Sequence, residues 1–439
     1  MLEAAAQNRH ALLVAATGAG KTLAGFLPTL NALVSDPAEG LHTLYISPLK
    51  ALAVDVRRNL LLPIEEMGLP IRVETRTGDT PSDRKQRQRV KPPHILLTTP
   101  ESLSLLLSHE DSVFLFSTLQ RVIIDEVHAF ANGKRGDLLS LSLARLQTLA
   151  PQMERVALSA TVADPDDYRA WLAPDGDIDL VQLVTGEAAA EPDLEILLPD
   201  GRVPWAGHSG QHAIPQLIEE IGRNKITLIF CNTRFLAEYI FQKLWDANDP
   251  KYAIGIHHGS LSIEARRKVE GAMSEGKLRA LVCTASLDLG VDWGDVDCVI
   301  QMGAPKGSSR LLQRIGRSNH RMDEPSKAIL VPGNRFEYLE AQAAYDAVTE
   351  GVRDGEAFRA GGLDVLAQHV MGVACAGPFD EAELLAEVQS SLPYSAMDAA
   401  TFSRVIEFIA TGGYALRAYD KYRKLAKDPD GRWRLSHPK

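Results

Sequence analysis

Leu12-Leu13-Val14-Ala15-Ala16-Thr17-Gly18-Ala19-Gly20-Lys21-Thr22 is the stretch whose reading decides the architecture. A short apolar run, Leu12–Ala15, enters a glycine-punctuated loop, and the apolar helical pattern Leu23–Leu33 follows. This is the strand–loop–helix setting that a phosphate-binding P-loop requires. Gly18 and Gly20 let the backbone wrap closely, so the amides of Thr17, Gly18, Ala19 and Gly20 and the helix N-terminus face an anion. Lys21 offers a point charge to the β and γ phosphates of a nucleotide, and the Thr22 hydroxyl is a hard ligand for Mg2+. Ala15 stands where the common form has its first glycine.

Outward from this loop, short strand candidates alternate with helical stretches. The first series is Leu12–Ala15, Thr43–Ile46, Ile71–Glu74, Ile95–Thr98, Val122–Ile124 and Val156–Leu158, with helices such as Lys50–Glu66 and Leu138–Leu149 between. Strands of four to six residues separated by helices imply a mostly parallel sheet covered on both faces. The pattern repeats at Thr227–Phe230, Ala253–Ile256, Ala280–Cys283, Cys298–Gln301 and Ile329–Val331. Val184–Gly207, rich in Pro, Gly and acidic residues, reads as an extended connection. After about Glu340 helices dominate: Leu339–Glu350, Leu363–Ala374, Glu381–Val388 and Thr401–Thr411. Tyr414–Tyr422 and Arg432–Leu435, around an Asp-Pro-Asp-Gly turn, suggest the ribbon of a winged helix. The expected domains are 1–190, 205–338 and 339–439.

The 439 residues carry a net charge of −10, with 45% apolar and 24% charged residues, an ordinary balance for a globular enzyme. The acidic sum does not exclude a nucleic-acid partner, because local arrangement decides phosphate binding. Basic residues gather at Arg57–Arg58, Arg72 to Lys91, Arg266–Lys268 and Lys306 to Arg321. Four scattered cysteines show no metal-ligand spacing, which fits a reducing cytoplasm. No apolar run approaches the ~20 residues of a membrane helix.

Asp125-Glu126-Val127-His128 ends the strand Arg121–Ile124. A carboxylate at the C-terminal edge of a parallel sheet points into the crevice where ligands sit. Asp125 is the candidate Mg2+ ligand and Glu126 the residue that orients and deprotonates an attacking water. A helix N-cap with acidic first-turn residues is the bland alternative, weakened by the P-loop upstream.

With these two motifs the sequence resembles a DExH-type superfamily 2 helicase, and the other motifs follow in that family's order. Ser47-Pro48-Leu49-Lys50-Ala51-Leu52 is similar to motif Ia and Thr98-Thr99-Pro100-Glu101 to motif Ib, with Thr75-Arg76-Thr77-Gly78-Asp79 between. Ser159-Ala160-Thr161 is similar to motif III, Phe230-Cys231-Asn232-Thr233-Arg234 to motif IV and His258-Gly259-Ser260 to motif IVa. Thr284 to Asp292 resembles motif V, and Gln313-Arg314-Ile315-Gly316-Arg317 motif VI. Lys134-Arg135-Gly136-Asp137, Ala304-Pro305-Lys306-Gly307, Arg317-Ser318-Asn319-His320-Arg321 and Leu363 to His369 resemble the large helicase-related group, and within it the ligase-associated bacterial branch.

The resemblance implies two RecA-like parallel-sheet domains in tandem, then a mostly helical winged-helix domain. It implies DNA-stimulated ATP hydrolysis, with ATP and Mg2+, driving 3′→5′ movement on single-stranded DNA and unwinding of DNA or RNA–DNA duplex in repair. Arg317 would reach the γ-phosphate from the second domain, Gln313 would help place the water, and Gly290 and Asp292 would line the nucleotide. His128, Ser159 and Thr161 would couple the two halves. Lys50, Arg76, Thr99, Thr233 and Thr284 are the candidate grips on the sugar-phosphate backbone, although helix capping is the commoner role of such threonines. Trp433 reads either as a core residue, the commoner case, or as a wedge against a base. His320 stands where many relatives have a second arginine.

The family's adenine-reading Q motif lies upstream of the P-loop, and this chain begins too close to Lys21 to contain it. The family also continues beyond Lys439, so a fragment with an incomplete winged helix is expected. A cytoplasmic monomer is expected, with a DNA ligase and a nuclease as partners by resemblance. An RNA helicase and an inactive nucleic-acid-binding fragment are the competing readings.

Overall fold

The computed structural model describes the chain except residues 17–18, 38, 161, 188–189, 199–202, 208, 289–295, 319–324, 356, 414, 417–418 and 438–439, and except the side chains of 50–52, 54–55, 58 and 420. The first sheet comprises β1 (His10–Val14), β2 (Thr43–Ile46), β3 (Val73–Arg76), β4 (Ile95–Thr98), β5 (Arg121–Ile124), β6 (Glu154–Ser159) and β7 (Val181–Thr185). All its pairings are parallel, in the order β3-β4-β2-β5-β6-β1-β7. Leu12, Leu44, Leu96, Val122 and Ile124 face one buried cluster, and their neighbours Leu13, Tyr45, Leu97 and Ile123 face another. Alternation between two dry cores is what helices on both faces of a parallel sheet produce.

The second sheet repeats the plan. It contains β8 (Asp193–Ile196), β9 (Thr227–Cys231), β10 (Ile254–His257), β11 (Ala280–Cys283), β12 (Cys298–Met302) and β13 (Lys327–Val331). The order is β10-β11-β9-β12-β13-β8, again all parallel. Its two cores take alternate residues, Ile229 and Cys231 on one side and Leu228 and Phe230 on the other. Two RecA-like sheets in tandem are therefore present, as expected.

The connection between them is shorter than its composition suggests. β7 and β8 both lie inside or beside the stretch read as a linker, and each extends the edge of a different sheet. Asp193-Leu194-Glu195-Ile196 alternates polar and apolar residues and buries only one side, so it lacks the continuous apolar run of the inner strands. The second sheet thus begins at Asp193, not at 205. β3 also lies two residues later than Ile71–Glu74, which carries Arg76 to the sheet edge.

The third body is helical, with Leu363–Ala376, Glu381–Gln389 and Ala399–Thr411 around one core. The helix Arg335–Thr349 is not part of it, because Ala341 and Val348 pack into the second sheet's core. The ribbon is β14 (Leu425–Lys427) with β15 (Trp433–Leu435), antiparallel. Its first strand falls after Tyr414–Tyr422, where the described residues include a 3-10 turn at Asp420–Tyr422. Trp433 is half-buried against the helical core and its indole N–H donates to Glu381 at 3.0 Å, the role of a packing residue. Leu138 and Leu141 of the first body complete this core, so the two bodies share one apolar interface. Among the described residues no helix is long and apolar enough to cross a membrane.

Candidate nucleotide site and nucleic-acid face

In a parallel sheet all C-terminal strand ends share one edge. β1 therefore delivers the P-loop, β5 delivers Asp125 and Glu126, and β6 delivers Ser159 beside one another, since β6 lies between β1 and β5. The register is tight: Ala15 N–H donates to Ser159 O at 3.1 Å and Asp125 N–H to Ile46 O at 2.9 Å. Gly20, at φ +73°, makes the left-handed turn into the helix Lys21–Ser35 that an L side chain rarely adopts. The Lys21 ammonium is buried and donates to Ala15 O at 2.9 Å and Ala16 O at 2.8 Å. Burial lowers its pKa, opposed by the Glu126 and Asp125 carboxylates. Thr22 is half-buried at the same turn. Thr17 and Gly18 lie outside the described residues.

Asp125 is almost fully buried. Burial and the neighbouring Glu126 carboxylate push it up to about 7. Tyr45 O–H donates to one of its oxygens and Glu126 N–H to the other, the latter at 2.9 Å. Glu126 holds φ 49° and ψ 43°, a left-handed backbone that costs a non-glycine residue about 1–3 kcal/mol. His128 Nδ1 accepts the Ala160 N–H at 3.2 Å and lies 3.1 Å from Ser159 Oγ. That network assigns the proton to Nε2, which is 3.3 Å from Glu126 Oε2. Burial keeps this imidazole neutral, against the pull of Glu126.

The donor set suits Mg2+. Thr22 and Asp125 offer hard oxygens, and each Asp125 oxygen keeps a lone pair beyond its one hydrogen bond. No cluster of three or more metal-ligating side chains occurs among the described residues. A cation here would be shared with phosphates and water, as Mg2+ commonly is.

From the second sheet, the helix Ser308–Ile315 brings Gln313, Arg314 and, just past its end, Arg317. Arg317 is buried, and its Nη2 donates to Asp288 O at 2.9 Å. Its charge reaches across to the first sheet, where it depresses both Lys21 and His128. Arg314 points the other way, inward. Its guanidinium grips the Asp288 carboxylate at 2.8 and 3.2 Å and stacks over Phe230 at 4.8 Å. Asp288 therefore places two motif VI arginines at once, one by side chain and one by carbonyl. Sequence reasoning passed over it in favour of Asp292, the other carboxylate inside motif V. Tyr45 was also missed; a phenol in the apolar Thr-Leu-Tyr-Ile strand was its only signal.

A cleft of about 770 Å³ opens between the bodies, lined by His128 and Ala163 on one wall and Asp288, Arg310 and Gln313 on the other. Gly290, Asp292 and Thr161 lie outside the described residues.

The candidate nucleic-acid contacts divide. Thr99, Thr233 and Thr284 all follow strand ends (β4, β9, β11), on the same edges as the nucleotide motifs. Thr233 is exposed, and its Oγ accepts Leu236 N–H at 3.1 Å, so it also caps its helix. Thr99 is buried and lies 3.3 Å from Ser102 Oγ. Thr284 is half-buried. Arg76 is buried, and its guanidinium donates to Lys85 O at 2.7 Å. Much of the basic run 72–91 is likewise paired, Arg84 and Arg87 with Glu74 and Arg89 with Asp111. The Lys50 side chain lies outside the described residues.

Comparison with known proteins agrees with this layout. Residues 1–168 match the DEAD/DEAH box helicase family, residues 211–322 the helicase conserved C-terminal domain, and residues 346–439 the winged helix domain of large helicase-related protein. The ATP-dependent helicase Lhr-Core protein 2 of Thermococcus barophilus is 38% identical over 96% of this chain and 51% of its own length. The ATP-dependent helicase Lhr-Core of Methanocaldococcus jannaschii is 37% identical over 94% and 51%. The solved structure of Mycobacterium smegmatis helicase Lhr bound to ssDNA and AMP-PNP superposes with a TM-score of 0.86 at 35% identity, covering 99% of this chain and 57% of that one. The chain thus spans about half the length of the curated archaeal relatives it matches. With both motor domains and the group's own winged helix in order, the chain belongs to the large helicase-related group of superfamily 2 helicases.

Proposed function

We propose that the chain is an ATP-driven motor that hydrolyses ATP between its two RecA-like sheets and is stimulated by single-stranded DNA. Lys21 and the P-loop amides would hold the β and γ phosphates, Thr22 and Asp125 would hold Mg2+, and Glu126 would take a proton from the attacking water. The cation, when bound, neutralises phosphate charge. Neutral His128, fixed by Ser159 and Ala160, presents its Nε2 to Glu126 and so orients the base. Arg317 supplies positive charge from the opposite sheet, and Gln313 faces the same cleft as His128. Arginines in this role are worth about 10³–10⁵ in rate. Because the two halves sit on separate sheets, the site is complete only when the cleft is closed, which couples chemistry to domain motion.

The observation that carries this reading is the shared cleft, where His128 on the first-sheet side faces Gln313 and Asp288 on the second, with Arg317 held on the Asp288 carbonyl at 2.9 Å. The strand-end positions of Thr99, Thr233 and Thr284 support a sugar-phosphate track along the same edges. DNA is favoured over RNA because the relative from Mycobacterium smegmatis was solved with ssDNA and AMP-PNP. Movement 3′→5′, unwinding of DNA or RNA–DNA duplex, a repair role and ligase or nuclease partners follow from the resemblance alone. The test is ATP turnover with saturating single-stranded DNA, with RNA and with neither, beside a Lys21→Ala control. Stimulation by DNA that the control lacks is expected. Stimulation by RNA alone would overturn the DNA assignment, and equal turnover by the control would leave a nucleic-acid-binding scaffold.

A further inference from the structure

Between the helix Arg335–Thr349 and the helical body that begins at Leu363, Arg353, Asp354, Gly355 and Ala357 line the cleft and form a strap along it. This strap is fastened at both ends. On the second-sheet side, Asp354 Oδ1 accepts Ser308 Oγ–H at 2.6 Å and Ser309 N–H at 2.7 Å. Ser309 Oγ–H returns a bond to Asp354 O at 3.0 Å, and Ser308 Oγ lies 3.0 Å from Val352 O. Ser308 and Ser309 are the first two residues of the helix that carries Gln313 and leads to Arg317. Gly307, which precedes it, has φ +95°, and a Cβ there would come within 2.3 Å of the Asp354 carboxylate.

On the first-sheet side the approach is just as close. A Cβ on Gly355 would lie 2.9 Å from the Ala163 Cβ, just past motif III. Further along, Asn132 Nδ2 donates to Ala357 O at 3.3 Å. Arg359 Nη2 and Gly362 N–H donate to the buried Asp137 carboxylate at 3.0 and 3.1 Å. Two adjacent strap residues thus touch motif VI's helix and motif III's loop, and the next few are anchored on Asn132 and Asp137.

We infer that Asp354 is a positioning residue for ATP hydrolysis, holding the first turn of the Ser308–Ile315 helix so that Gln313 and Arg317 meet the first sheet in register. The inference rests on Arg317 acting across the cleft. The alternative, that Asp354 merely stabilises a surface turn, predicts lost stability without a selective kinetic effect. Positioning predicts the reverse, because displacements near 1 Å at a reacting centre cost on the order of 100-fold in rate.

The experiment uses the full chain with Asp354→Ala, Asp354→Asn and Arg317→Ala, measuring DNA-stimulated turnover, AMP-PNP and single-stranded DNA binding, and thermal melting. Asp354→Ala is expected to lower kcat about 10- to 100-fold, with nucleotide and DNA affinities within about twofold. Asp354→Asn keeps the acceptor oxygen and is expected to restore most of kcat. Should the alanine variant fail to fold, Ser308→Ala removes one donor and is expected to lower kcat in the same direction. Unchanged kcat in the folded variant, a loss that asparagine does not rescue, or a loss matched by weaker binding overturns the inference. If Arg317→Ala also keeps full turnover, the cross-cleft reading itself has failed; if only Asp354→Ala does, the failure belongs to the strap.

Discussion

The hydroxyl of Tyr45, in the middle of β2, donates to the carboxylate of Asp125 at the end of β5. β2 and β5 are neighbours, and the buried phenol stacks on Phe26 of the P-loop helix at 5.1 Å. Asp125 is thereby held between a side chain and a main-chain donor before any cation arrives. Tyr45→Phe removes the side-chain donor and keeps the ring. The Mg2+ concentration for half-maximal turnover should rise about 3- to 10-fold, the loss of one charge-assisted hydrogen bond being worth about 1.5–3 kcal/mol at most. A magnesium titration of turnover reads this directly, and an unchanged midpoint would count against the orienting role.

Glu126 combines a strained backbone with a position facing neutral His128. Glu126→Gln preserves size and removes the base. Turnover should fall about 10²–10⁴-fold while nucleotide binding persists. Pre-steady-state hydrolysis beside AMP-PNP binding separates the two; parallel loss of both would mean the residue only shapes the pocket.

Asp288 is the buried partner of Arg314 and supports Arg317 through its carbonyl. Asp288→Ala leaves Arg314 buried without its carboxylate, which should cost about 3–5 kcal/mol. Arg310, which is 47% exposed and 3.5 Å from the same carboxylate, should be near neutral to alanine, within about 1 kcal/mol. Urea unfolding of the two variants checks the contrast.

The meeting of Lys21, Asp125 and Glu126 at one sheet edge was legible in the order of motifs, because strand-end residues in a parallel sheet converge whatever lies between them. The two sheets followed from alternating apolar runs. Less legible was anything fixed by one-sided burial or by long-range pairing. β8 hid in an acidic, proline-rich stretch because an edge strand buries one face only. The bond from Arg76 to the Lys85 carbonyl was not legible either, since it depends on where the helix after β3 folds back. Asp137 and Asp354 make no sense singly, since their partners lie more than 40 residues away in sequence. The match of Lys134-Arg135-Gly136-Asp137 to the group now has a physical reason: a Cβ on Gly136 would meet Ala131 O at 2.1 Å, and Lys134 and Asp137 fasten the strap and the helix after it.

The helical body rides on the first sheet through Glu387, which takes Thr148 Oγ–H at 2.8 Å and Arg145 at 3.1 Å, with His369 at 3.8 Å. Burial pushes this carboxyl up, but His369, Arg145 and Thr148 together hold it below its ordinary value. A carboxyl lowered on folding stabilises the protein fully above the unfolded value, about 4.3, and loses that contribution as pH falls through the folded value. Glu387→Gln should therefore lower the melting temperature at pH 7, and the gap from the parent should narrow below about pH 4. A gap that is constant across this range would contradict the assignment.

The proposed chemistry requires Arg317 to complete, from the second sheet, a site that Lys21 begins on the first. Single-turnover ATP hydrolysis by Arg317→Ala with saturating single-stranded DNA is the most direct measurement. The expected result is a fall of about 10³-fold or more with AMP-PNP affinity nearly unchanged. Hydrolysis at the parent's rate would show that the two sheets do not share the reaction.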